Sequence, residues 1–542
     1  MLIANLFIAL TLFAASAVAI AATAATARLL ARLLELVSGW CSSVPDEFLR
    51  GGLVVPSAGG NGLDETEDAF DLLGHRLPND AAHLGTLLVG VPGTGKTVVA
   101  TGMVSSLCRR FDRSDRRRLR RRAGERLRLR LVIFDAKNEW PAKVHRLLPP
   151  WVPVYQLNPL DAARGVRWAV ADDVRSVAEA LQLASGVAPD RTNDPNGFFT
   201  RASRNALTDL ALVLLLTAGK RWRAGHLAAL TRNQRLLAAV LRSHPITRDT
   251  AAQMLRGRSG KDVLATIGTF VNALVPAFYG WDRCAGTVSI RQFLDEEAVL
   301  ILGWDDGVSD ALSPLYTLFL RLLIDRVLLN ADPTDRTWLF LDELGLLGKL
   351  DALPRAVYRG RSSALCVTAG VQDVNTLDRI YGRDMAREIL ASLQTKVFFR
   401  LGSKESAEFA AGAIGKQEVR RWLRSYSHTR SGNGGSSTTG LQEQIAERYA
   451  VMPDELLHLP LADPVADRLT GYLLSPFVGG TARFEVPFLA SARASAGDPS
   501  FENYRRRDAA DQLPLPLSPA DVEALGVPLT DEVVAALVRS DR

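Results

Sequence analysis

One eight-residue stretch restricts this chain more than any other. Gly90, Val91, Pro92, Gly93, Thr94, Gly95, Lys96 and Thr97 fit the pattern G-x-x-x-x-G-K-[ST]. An apolar run at 85–90 precedes the glycine-rich part, and residues 98–108 behind it carry a helical pattern. In that setting the glycines let backbone N–H groups wrap a phosphate at a helix N-terminus, where the dipole also favours negative charge. The expected chemistry follows: the loop holds the phosphates of ATP, Lys96 reaches the β- and γ-phosphates, and Thr97 holds Mg2+. Strand, loop and helix occurring together separate this motif from a glycine-rich turn that binds nothing.

The rest of the chain must therefore explain what the nucleotide drives. At 542 residues it is long enough for two or three domains. Hydrophobic content of 47% and charged content of 23% are those of an ordinary globular protein. A net charge of +6 permits an anionic partner without demonstrating one. Cys41, Cys108, Cys284 and Cys366 are far apart and lack the spacing of a zinc site or a disulfide framework, which suits a reducing compartment. Residues 2–26 run for 25 positions without one charge, enough to cross a bilayer as a helix. Arg28 and Arg32 follow and no basic residue precedes, so the bulk of the chain is expected on the cytoplasmic side of a single-pass anchor. A cleaved signal peptide fits less well, because a basic leading region is missing and the apolar stretch is too long.

Short apolar runs bounded by turn residues recur at 85–90, 130–135, 154–157, 298–303, 338–341, 364–369 and 396–401. Helical patterns separate most of them, the signature of a parallel α/β sheet. Between 172 and about 283 that alternation stops, and 198–216, 223–243 and 247–275 read as helices. The fold expected is α/β: a nucleotide-binding domain at 63–171 and 286–489 interrupted by an inserted all-α domain at 172–285. A transmembrane anchor (1–27), a juxtamembrane segment with a Gly- and Pro-rich linker (28–62) and a C-terminal tail (490–542) complete the layout. The tail, with its Pro-Leu repeats and short acidic helical pieces, reads as a loosely packed appendage. Residues 425–440, rich in Ser and Gly, read as a flexible loop. Residues 113–130 hold ten arginines in 18 positions, which suits a solvated surface segment, a nucleic-acid contact or an acidic-lipid contact.

The run Trp338-Leu-Phe-Leu341 leads into Asp342 and Glu343. An apolar strand ending in this pair accompanies phosphate loops. Asp342 is expected to orient the metal through water and Glu343 to act as general base toward the attacking water. The second carboxylate points to hydrolysis rather than to small-molecule phosphorylation, and no L-S-G-G-Q segment of ABC-type ATPases occurs. Another apolar run ends near Gln372, placed to touch the γ-phosphate if its strand lies beside the Asp-Glu strand.

Taken in order, several segments resemble the type IV secretion coupling proteins, the TraD/TrwB-like ATPases of conjugation. They are Phe340-Leu-Asp-Glu-Leu344, Tyr358-Arg-Gly-Arg361, Ala369-Gly-Val-Gln372, Leu377-Asp-Arg-Ile-Tyr-Gly382 and Thr395-Lys-Val-Phe-Phe-Arg400. Val132-Ile-Phe-Asp-Ala-Lys-Asn-Glu139 is similar to the family's (I/Y)-D-P-K-G-E segment, with Ala and Asn in place of its Pro and Gly, and Asn158-Pro-Leu-Asp161 and Val451-Met-Pro-Asp-Glu-Leu456 also correspond. The resemblance runs from about 85 to 488. It implies a RecA-like ATPase anchored in the bacterial inner membrane and working as a homo-hexameric ring on DNA. It also implies that the ring hands a relaxase-bound single strand to the secretion channel. Lys96, Thr97, Asp342, Glu343 and Gln372 fall on the family's nucleotide-site positions, and Arg361 on that of an arginine reaching the neighbouring subunit's nucleotide. Arg355 and Arg359 remain alternatives for that role. The family usually has two membrane helices where one is read here, and the arginine run is an insertion. Two other readings use the same core: a double-strand DNA translocase of the FtsK/HerA type, and a non-hydrolysing membrane platform that recruits secretion substrates.

Overall fold

The computed structural model of the protein describes residues 47–52, 54–56, 69–111, 128–190, 197–232, 234–254, 257–329, 335–431, 434–488, 497–498 and 519–526. The expected anchor at 2–26 and most of the arginine run (112–127) lie outside the described residues. In chain order the first strands are β1 (Glu47–Gly51), β2 (Val54–Pro56), β3 (Ala69–Leu72), β4 (His75–Pro78), β5 (Thr86–Val89) and β6 (Arg128–Asp135). Next come β7 (Val154–Gln156), β8 (Val166–Trp168), β9 (Gly286–Val288), β10 (Val299–Gly303), β11 (Asp335–Leu341) and β12 (Leu365–Val371). The last are β13 (Thr395–Phe398), β14 (Lys416–Ser431), β15 (Gly434–Tyr449), β16 (Leu469–Ser475) and β17 (Gly480–Val486).

Ten strands form one sheet in the order β2-β17-β16-β13-β5-β12-β11-β6-β10-β7. From β13 to β7 every pairing is parallel. β5, β10, β12 and β13 are buried along their whole length. That is why β5, β10 and β12 read as mainly apolar runs, since a strand buried on both faces has little need of polar residues, whereas β13 carries the buried Lys396. The helix Lys96–Cys108 lays Met103, Val104 and Leu107 on a core with Leu131, Ile133, Trp338 and Phe340. Burial of each such side chain is worth about 1.5–3 kcal/mol. Phe70 packs edge-on against Trp338 with ring centroids 5.3 Å apart. Since β5 and β6 are separated by β12 and β11, the chain crosses over the sheet between them. The crevice at the carboxyl ends of β5, β12, β11 and β6 is where such sheets place a ligand.

The sheet is mixed, not wholly parallel as its central runs imply. β16 and β17 continue it antiparallel from β13. Residues 425–440 are not a loop: they form the outer arms of a hairpin in which β14 and β15 pair from Lys416↔Tyr449 to Ser431↔Gly434. Backbone hydrogen bonds satisfy those arms whatever their side chains, so Ser and Gly content is a poor guide there. With β1, this hairpin makes a three-stranded sheet in a compact unit of its own, separate from the unit that holds the ten-stranded sheet.

The helical pattern after 172 appears as helices Val177–Val187, Phe198–Ala218, Ala224–Arg232, Gln234–Ser243, Pro245–Met254 and Gly257–Asp282. The parallel ribbon of β8 and β9 brackets this stretch. By length and composition Gly260–Asp282 is apolar enough to cross a membrane, yet half of its most apolar window is buried within the protein. The described parts of the tail pack rather than dangle. The Asp498 N–H donates to the Ala142 carbonyl at 2.9 Å. The Asp521 carboxylate accepts from the Arg223 guanidinium, and Leu525 is fully buried. At its end the arginine run becomes strand β6, where buried Arg130 pairs with Asp335 at 2.8 Å and so cannot serve a ligand.

Candidate functional site

The loop 90–97 links β5 to the helix Lys96–Cys108. Gly93 (φ 79°) and Gly95 (φ 92°) sit in the left-handed region that favours glycine, and Gly95 caps the helix. A Cβ at Gly95 would approach Leu469 Cδ1 to 2.6 Å, whereas nothing lies within 4 Å of one at Gly93, on the open side of the loop. Thr94 closes the loop by donating from Oγ1 to the Val91 carbonyl at 2.8 Å. Buried Lys96 donates to the Gly90 carbonyl and, at 3.3 Å, to that of Val91. Desolvation lowers its pKa, while Glu343 and Asp342 raise it and Lys137 lowers it further.

One strand removed from β5, β11 delivers Asp342 and Glu343 at its carboxyl end. Thr97 donates from Oγ1 to the Asp342 carboxylate at 3.2 Å across 245 residues of sequence. Burial raises the Asp342 pKa, against Lys137 and the Thr97 hydrogen bond. Burial likewise raises that of Glu343, against a hydrogen bond from Gln372 and the charge of Lys96. β12 runs to Val371, as the apolar run ending near Gln372 implies, so Gln372 emerges from the strand between the phosphate loop and the carboxylate pair. These residues line one cavity of about 730 Å3, within the range of ligand pockets. Gly90 alone of the loop is not among its lining residues.

Arg361 is not brought to this cavity among the described residues. The helix after β11 is Leu353–Arg359, and Arg361 follows it in the 3-10 turn Gly360–Ser363; its side chain lies outside the described residues. Arg355, one of the alternatives, pairs with Asp325 at 2.9 Å.

Sequence reasoning left other lining residues without a part. Lys137, Glu139 and Lys143 come from the turn and helix after β6, Asp306 from the turn after β10, and Phe488 and Gly497 from near the start of the tail. The signal for the first group was present in the segment 135–139. Asp135, buried and pushed up to about 6 chiefly by desolvation, accepts three backbone N–H groups and holds that turn. Nothing local marks Phe488 and Gly497, whose approach depends on the whole sheet.

A strand, a phosphate loop capping the next helix, and a carboxylate pair on a nearby strand tip define the P-loop class of nucleotide-binding folds. A family model described as type IV secretion-system coupling protein DNA-binding domain matches residues 74–486, and the chain belongs to that family. It is 24% identical over 348 residues to the coupling protein TraD of Escherichia coli (strain K12), a match covering 62% of this chain and 47% of TraD. The chain thus spans about half the length of that relative. Among solved structures, the unbound bacterial conjugative coupling protein TrwBdeltaN70 is 23% identical with a TM-score of 0.63, covering 85% of this chain and 95% of the other. The plasmid coupling protein TrwB in complex with ADP and Mg2+ is 22% identical with a TM-score of 0.63, covering 86% and 98%. At this level of identity the likeness to TrwB concerns the fold.

Proposed function

We propose that this protein is an ATP-hydrolysing DNA translocase that serves as the coupling protein of a conjugative type IV secretion system. The observation that carries the reading is the junction of the two halves of the site: Thr97 bonded to Asp342, with Glu343 and Gln372 lining the same cavity. Family membership supplies the conjugative context, and TrwB itself has been seen with ADP and Mg2+. The Thr97 hydroxyl and the Asp342 carboxylate are an all-oxygen pair, suited to a hard ion that takes one or two carboxylates plus phosphate oxygens. Mg2+ held there would neutralise phosphate charge. The loop N–H groups and Lys96 bind and orient the triphosphate. Glu343 takes a proton from the water whose oxygen attacks the terminal phosphorus, while the bond to the ADP oxygen breaks. Gln372 holds Glu343 and is placed to sense the terminal phosphate. Arg361 of one subunit serves the nucleotide of the next in a homo-hexamer.

The same reading assigns residues 2–26 to a single-pass anchor in the bacterial inner membrane with the bulk of the chain in the cytoplasm. The helices of 172–285 become an inserted all-α domain, and the DNA is a relaxase-bound single strand passed to channel proteins. Glu343→Gln tests the site. ATP affinity should stay within a few fold while turnover falls by a factor on the order of 10² or more, as for loss of a general base. Turnover at the parent rate would remove Glu343 from this role.

A further inference from the structure

Lys137 stands on the turn between β6 and the helix Trp140–Leu147, and that turn is fixed from two sides. Asp135 accepts N–H groups from Lys137 at 3.3 Å, Glu139 at 3.1 Å and Trp140 at 2.9 Å. Asn138, at φ 55°, donates to the Trp304 carbonyl and accepts the Trp304 N–H at 3.2 Å. β6 and β11 are neighbours with Phe134 opposite Leu341, so this turn rises beside Asp342 and Glu343. Lys137 and both carboxylates line the same cavity.

Three lysines line that cavity, and they are not equivalent. Lys96 donates to carbonyls of its own loop. Lys143 pairs with Glu139 at 2.9 Å and lies over the Trp140 ring, 5.3 Å from its centroid. Lys137 is exposed and makes no ion pair or side-chain hydrogen bond among the described residues. Its charge is nonetheless the strongest influence opposing the upward push on Asp342. A cation on a fixed turn, close to the metal-side carboxylate and without an ion pair among the described residues, is equipped to meet an added negative charge.

Resting on the nucleotide-binding reading above, we propose that Lys137 is a second phosphate lysine, which contacts the terminal phosphate of a bound triphosphate and makes the site distinguish ATP from ADP. The loop lysine works from the β5 side of the cavity and Lys137 from the β6 side, so the terminal phosphate meets cations from both.

The test is equilibrium binding of ATPγS and of ADP, each with Mg2+, to the full-length protein and to Lys137→Ala, Lys137→Arg and Lys96→Ala. Exposure of Lys137 means that its truncation should leave the unfolding temperature unchanged. Lys137→Ala should weaken ATPγS roughly ten- to a hundredfold, the range for a lost hydrogen bond to a charged group, and leave ADP within about twofold. Lys137→Arg should recover part of the loss, and Lys96→Ala should weaken both nucleotides. Equal weakening of both ligands by Lys137→Ala, or no weakening of either, overturns the proposal while leaving the nucleotide reading intact. If the unaltered protein binds neither nucleotide, the nucleotide reading itself fails.

Discussion

At Glu343 burial and the proposed role of general base act against each other. Desolvation raises its pKa above the ordinary value, whereas a base must be ionised to take a proton; the Gln372 hydrogen bond and the charge of Lys96 offset part of that push. Two outcomes follow. Because the folded pKa lies above the unfolded one, the folded protein binds more protons between the two values, and stability falls as pH rises through that window. Ionised Glu343 is therefore a cost at neutral pH, and Glu343→Gln should unfold at a temperature no lower than the parent's. Turnover should also fall on acidification at a pH above the usual glutamate range, a shift read directly from the pH dependence of kcat. An acid limb at the ordinary glutamate value would mean that another group titrates.

Among the elements, β12 carries a tight constraint set by backbone. A Cβ on Gly370 would meet the Asp342 carbonyl oxygen at 2.1 Å and its carbon at 3.0 Å, both backbone atoms that no rotamer change can move. Gly370→Ala should cost about 1–3 kcal/mol, as overpacking does, and should displace Asp342 from Thr97, lowering Mg2+-dependent nucleotide affinity. Denaturant unfolding combined with nucleotide titration checks both; an unchanged protein would mean that β11 and β12 yield more freely than their pairing suggests. The elements also divide by how well they could be read in advance. β5, β6, β10 and β11 were legible because burial on both faces writes itself as an apolar run. The phosphate loop and the Asp342–Glu343 tip were legible because each is local. β14 and β15 were not: Lys416-Gln-Glu-Val-Arg-Arg-Trp-Leu423 has no apolar face repeating every second residue, and its order comes from partner strands. β16 and β17 escaped because their place depends on pairing with β13. The turn holding Lys137 was recognisable as a segment, but its nearness to Asp342 arises only when β6 and β11 become neighbours.

For the whole molecule, hydrolysis is expected to be a property of a ring. Arg361 follows the helix after β11, 18 residues beyond Glu343, and a trans arginine of this kind is worth about 10³ or more in rate. Arg361→Ala should bind ATP nearly normally and hydrolyse it very poorly. Mixed with Lys96→Ala subunits, themselves inactive, it should regain activity, since some interfaces then join an intact loop to an intact arginine. Mixed rings that stay inactive would contradict the arrangement. The most direct test of the account is steady-state ATP hydrolysis by the full-length protein alone, with single-stranded DNA and with double-stranded DNA, with Glu343→Gln measured in parallel. A coupling ATPase should show turnover that DNA stimulates, most strongly the single strand, and that Glu343→Gln abolishes. Nucleotide binding without turnover under all three conditions would contradict it and leave a recruitment platform in its place.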